Sequence, residues 1–325
     1  MRRKSRFRLF AASILGIVVG VLVPPAAPRP VGERSIPPAE AIPRVPAARV
    51  VPSPEEIIRP HLAWAEQTSA ELLVDYLRQI DDFFETAKKG TPDFADRALS
   101  FGSKWRLVAD HVPFARGGRH ETFLRSQFEE HVFRPTQLGE LIEQVVAGYL
   151  AQVRSIESEM LVKIRADIAD FPETYVVAEL DEPTLRARYD EALSDALSAA
   201  AGDLRSDVAG QVVSLIAGEV LTQVAARLGV SAGILGTGAA SGWATFGIGV
   251  VVGLIVDQIV AWVWDWYADP SGTLARQLSA RLEGVNRLIV DGSDGVGGLR
   301  NRLDTYAAGR AAVRETALLA ILQTK

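Results

Sequence analysis

Apolar residues spaced three and four apart constrain this chain more than any other feature. Between Pro135 and about Phe171 they fall at Leu138, Ile142, Val145, Tyr149, Val153, Ile156, Met160, Ile164 and Ile168. That spacing fits 3.6 residues per turn, so it predicts one helix of roughly 35 residues, about 52 Å long. The same rhythm runs from Pro183 to Leu228 through Leu185, Tyr189, Leu193, Leu197, Leu204, Val208, Val212, Leu215, Val220 and Val224. Gly202, Gly210 and Gly218 interrupt it and mark bends or close-packing points. Further helices are expected over Ser53–Lys89, Thr91 to about Asp110, His120–Phe133, Thr273–Ile289 and Leu299–Leu322. Ser53 ahead of Pro54, Glu55 and Glu56 is a start signal, and Pro60 is expected to restart or kink that helix. Only Thr174–Leu180 reads as a strand, and it has nothing to pair with. The fold class is therefore all-α: an elongated multi-helix bundle with coiled-coil-like faces.

Ahead of the helices lies a different kind of chain. Arg2, Arg3, Lys4, Arg6 and Arg8 precede the uncharged apolar run Leu9–Val23, the layout of an export signal. Pro24, Pro25 and Pro28 crowd the place where cleavage would occur, which favours an uncleaved signal anchor with its basic end in the cytoplasm and the rest of the chain beyond the membrane. Eleven of the seventeen prolines lie between Pro24 and Pro60, a density that makes an extended spacer. Four regions follow from this reading: an anchor at 1–23, a proline-rich linker at 24–53, an acidic helical domain at 54–182 and a second helical domain at 183–325. Between Pro54 and Ala200 there are 27 acids against 16 lysines and arginines, so that half repels DNA and anionic lipid.

Within the last region, Leu228–Val256 holds 29 consecutive uncharged residues, eight of them glycine. The apolar segment extends over 228–267 and forms a helix or a helical hairpin. Gly249, Gly253 and Asp257 lie four apart on one face, where small residues let helices approach. A bulky side chain at Gly249 or Gly253 is therefore expected to disturb packing more than one at Gly247. Trp243, Trp262, Trp264, Trp266 and Tyr267 suit a membrane interface, and Trp243 to Trp262 is about 28 Å of helix. Three arrangements are open: a second membrane span over 243–262, a hairpin buried in a soluble bundle, or a hairpin that moves between buried and inserted states or oligomerises through its glycines. An acid in such a segment needs a partner from another helix, with Gln211 and Ser214 as candidates for Asp257.

Chemistry-bearing patterns are sparse. With no cysteine, the chain has no disulfide, thiolate metal site or cysteine nucleophile. His120 and His131 would stand about 16 Å apart on a helix, too far for one ion, so no metal or cofactor is expected. Asp291, Gly292, Ser293, Asp294 and Gly295 resemble a calcium loop only in composition, because Arg302 stands where the twelfth-position acid belongs. No nucleophile elbow, phosphate loop or dinucleotide fingerprint appears. These observations imply a non-catalytic scaffold or adaptor of a bacterial-type envelope, its helical body outside the cytoplasm. Membrane lipid and a protein partner or second copy are the expected contacts, and nucleic acid is not. The alternatives are a pore-forming or membrane-perturbing protein that uses the glycine-rich segment, and an enzyme with an unrecognised site.

Overall fold

The computed structural model describes residues 51–100, 119–200, 209–230, 247–266, 273–293 and 296–323. Among them regular structure is helical, apart from a hairpin of two residues per strand. In chain order the helices are α1 (Pro54–Lys89), α2 (Thr91–Ala98), α3 (Arg119–His131), α4 (Pro135–Ile168), α5 (Glu182–Ala200), α6 (Ala209–Arg227), α7 (Ile248–Trp266), α8 (Leu274–Val290) and α9 (Leu299–Gln323). The anchor and most of the linker, residues 1–50, lie outside the described residues, as do 201–208 in the expected helix to Leu228.

Local chemistry sets the helix ends. Ser53 Oγ accepts from the Glu56 amide at 3.3 Å while Glu56 Oε2 accepts from the Ser53 amide at 2.8 Å, a reciprocal cap that occupies two amides the helix leaves open. At the start of α4, Pro135 follows Arg134, whose amide donates to Gln137 Oε1 at 2.8 Å. Asp181 opens α5 by accepting from the Thr184 amide at 2.9 Å, and its hydrogen bonds with Thr184 hold its carboxyl below the ordinary value. Pro60 does not restart α1, which runs through it for 36 residues. Glu56 and Pro60 are both exposed, so water can serve the carbonyl that the proline leaves without an amide. Thr174–Leu180 contains a single 3-10 turn at Val176–Glu179 in place of a strand, and Tyr175 OH there donates to the Pro52 carbonyl at 2.5 Å.

Two apolar cores are threaded by the same long helices. The first gathers the second half of α1, the first half of α4, the start of α9 and all the shorter helices except α5. The second is built from the first half of α1, the second half of α4, the 3-10 turn, α5 and the end of α9. Val50–Lys325 clusters as one unit, and residues from both sides of position 182 enter each core. A polar seam ties α1 and α2 to α8 beside the first core. Lys88 Nζ reaches Glu283 at 2.6 Å, Thr91 and Ser279 hydroxyls lie 2.8 Å apart, and Asn286 donates to Asp81 at 2.7 Å. Gly90 sits at the α1–α2 junction because any Cβ there would collide with the His131 carbonyl.

The antiparallel strands β1 (Gly292–Ser293) and β2 (Val296–Gly297) join α8 to α9. This is the stretch with a calcium-loop composition. Asp291 is engaged by Arg300 at 3.0 Å, and Gly292 takes a φ of 83° that a side chain would resist.

Candidate functional site

The glycine-rich segment supplies the first candidate. Its second half forms α7, which packs against α3, α4, α6 and α8. Val251, Val252, Ile255, Val256, Ile259, Val260 and Val263 are all buried in the first core, at most 2% exposed. The apolar face that would meet lipid in a spanning helix is thus covered by protein. Among the described residues no helix is long and apolar enough to cross a membrane. Of the three arrangements open in the sequence, a span over 243–262 finds no support among the described residues, where α7 packs beside α6 in the first core. The reason is partner supply: α4, α6 and α8 present enough apolar surface to take the whole of that face.

Among the described residues, the opposite face of α7 is less covered. Gly249 and Val250 are exposed, and a Cβ built on Gly249 meets nothing within 4 Å among the described residues. On Gly253 it would stand 3.9 Å from Arg125 Nη2, an ordinary contact. Gly247, just before the helix, has a φ of 79°, so it is the glycine that a side chain would strain. Asp257 pairs with Arg125 of α3 at 2.8 Å, both about two-fifths exposed. Gln211 and Ser214 on α6 are not its partners in this ion pair, because Asp257 faces α3. An ion pair this wet contributes about 0–1 kcal/mol. Trp262 is half-buried beneath Arg281, whose guanidinium carbon lies 4.7 Å from the ring centre. Trp264 and Trp266 belong to α7, while Trp243 and Tyr267 lie outside the described residues.

The second candidate is a layer of buried charge that the sequence pattern does not announce. Between the two cores, α4, α5 and α9 bring together Glu157, Arg310, Arg314, Tyr149 and Tyr189. Arg310 grips the carboxylate with two bonds, Nε to Oε1 at 2.9 Å and Nη2 to Oε2 at 2.6 Å. Arg314 Nε adds a third, to Oε1 at 2.9 Å. The Arg314 and Glu157 side chains are only 1% and 4% exposed. Two guanidiniums and one carboxylate leave a surplus of positive charge in a dry layer. Burial works against the charge on Arg310, but the hydrogen bonds and charge of Glu157 outweigh it and hold the guanidinium above its ordinary value. Burial, aided by the charge of Asp304, pushes the Tyr149 phenol up to about 12. Tyr189 is pushed up as well, by burial first and then by the charge of Glu157. Among the described residues, Arg314 Nη2 and both phenol oxygens have no hydrogen-bond partner.

The signal for this layer is visible once sought. Glu157 stands four residues after Val153, and Arg310 and Arg314 interrupt an apolar row of α9 that includes Leu303, Ala317 and Ile321. Charges on an apolar stripe are buried together or not at all.

A groove of about 550 Å³ also opens between α4 and α6, lined by Glu140, Glu143, Leu150, Arg154 and Val213 among others. Of the histidines, His61 bonds Asp167 at 2.7 Å, and no group of three potential metal ligands occurs among the described residues. Comparison with protein-family models, curated proteins and solved structures gives no match for this chain.

Proposed function

We propose that this protein is a membrane-anchored helical scaffold of a bacterial-type cell envelope, working by protein and membrane contacts without catalysis. Residues 1–23 form the anchor, 24–53 hold the helical body away from the bilayer, and the body presents long charged helix faces to partners outside the cytoplasm. The observation that carries this reading is the burial of α7: its seven core-facing aliphatic residues are already satisfied by α4, α6 and α8. Moving that face into lipid exchanges one apolar surrounding for another and gains little, while the first core would be left with a cavity. This supports an assembled scaffold over a pore-former that inserts the glycine-rich segment.

The test uses the full chain in reconstituted vesicles of mixed zwitterionic and anionic lipid loaded with a self-quenched dye. The chain should stay with the vesicles through an alkaline carbonate wash and release no dye, and a protease acting at the linker should free the helical body. Dye release that scales with protein and is abolished by Gly253→Arg would replace the scaffold with the pore-forming alternative. Loss of the chain in carbonate would remove the anchor.

A further inference from the structure

Long helices with regular apolar rows have an ambiguity built into them. The core-facing residues of α4 recur every three or four positions from Leu138 to Ile168, and α9 carries a similar row through Leu303, Val313, Ala317, Leu318 and Ile321. Sliding one helix past another by a turn, about 5.4 Å, still sets aliphatic groups against aliphatic groups. Apolar burial is non-directional, so it discriminates poorly between such alignments.

The layer between the cores is directional. Glu157 has two oxygens, and three donors on two successive turns of α9 meet them: Nε and Nη2 of Arg310 and Nε of Arg314. A one-turn slip of α9 leaves at most one guanidinium on that carboxylate and drives the other into aliphatic surroundings near Val153 or Met160. Nor is the layer arranged as a net source of stability. Among the described residues, Arg314 Nη2, Tyr149 OH and Tyr189 OH are buried without a hydrogen-bond partner, which a layer built for stability would avoid. A buried ion group of this kind often does no better than apolar residues of equal volume, and its best-attested use is to select one register among several.

We propose that Glu157, Arg310 and Arg314 form a register lock, which fixes the axial position of α9 against α4 and so aligns the two cores. The lock acts by excluding the slipped alignments, each of which would bury an unpaired guanidinium.

Because the chain has no cysteine, a reporter pair is simple to install. Spin labels on Ser155→Cys of α4 and Glu315→Cys of α9, both exposed, read the distance between the helices. They are placed in the full chain and in the triple variant Glu157→Leu, Arg310→Met, Arg314→Met. With the native layer, one narrow distance is expected. The triple variant should melt at the same temperature as the parent or higher, and should show an added distance component displaced according to a one-turn slip of about 5.4 Å. A folded triple variant with the single parental distance overturns the lock. So does a triple variant that fails to fold, since that would make the layer a stabiliser.

Discussion

At the scale of single residues, backbone geometry ranks the glycines differently from their spacing. Gly247 holds a positive φ and Gly253 lies inside α7 with room for a methyl group. Gly247→Ala should therefore destabilise the body by about 1 kcal/mol, whereas Gly253→Ala should stabilise it by about 0.5–1 kcal/mol, as read by urea denaturation. Loss of more than ~1 kcal/mol at Gly253 would mean that another molecule packs on this face. The buried tyrosines give a second residue-scale expectation. Tyr→Phe usually weakens a protein by removing a hydrogen bond, but the Tyr149 and Tyr189 hydroxyls have none to lose among the described residues. Tyr149→Phe and Tyr189→Phe should be neutral or stabilising by up to about 1 kcal/mol. A loss of 2 kcal/mol at either would show that the hydroxyl has an acceptor in solution.

Elements are held to one another by a few specific polar contacts set among apolar ones, and the α1–α8 seam is the clearest case. The hydrogen bond to Glu283, then that to Glu85, holds Lys88 above its ordinary 10.5, while the bond from Lys88 holds Glu283 below its ordinary 4.5. The signs follow directly. The raised lysine contributes stability that is complete below pH 10.5 and fades as pH rises through the folded value; the lowered glutamate contributes stability present above pH 4.5 and lost as pH falls through its folded value. Glu283→Gln should thus melt below the parent at neutral pH, and the gap should close as acid carries Glu283 through its lowered folded value and shrink in 1 M salt. The Glu283 side chain is 45% exposed, so the gap will be small. A gap that persists unchanged in acid would assign it to packing. Helix starts were legible at this scale at Ser53 and Pro135, which act through neighbours within three residues, whereas the Asp181 cap of α5 comes from the structure. Pro60 misleads because its effect depends on solvent reaching the Glu56 carbonyl, which the local pattern does not contain.

For the molecule as a whole, the same long helices run through both cores, so disturbance of the intervening layer should be felt in each. Alkaline titration probes this directly. Tyr149 titrates at about 12 in the folded state against an ordinary 10.0, and Tyr189 is shifted the same way. Above pH 10 the unfolded chain releases these protons and the folded chain keeps them. Stability is therefore complete below the ordinary value and falls by about 1.4 kcal/mol per pH unit for each such tyrosine until the folded value is passed. Tyrosinate absorbance should rise in two stages, the accessible phenols first and the buried pair together with loss of helix at higher pH. A single smooth rise with helix intact would mean that the layer admits water.

What the sequence determined by itself was everything governed by short range: the all-helical class, the long helix over Pro135–Ile168, the caps, and the apolar faces, since period and capping act within a turn or two. What only the tertiary structure decided was where those faces go. Whether Val251–Val263 meets lipid or protein depends on whether α4, α6 and α8 offer a complementary surface, and no local pattern states that. The partner of Asp257 and the meeting of Glu157 with Arg310 and Arg314 are of the same kind. An isolated charge on an apolar stripe announces only that a partner is needed. Which residue supplies it, 153 positions along the chain in the case of Arg310, follows from helix alignment, a long-range property of the packed molecule.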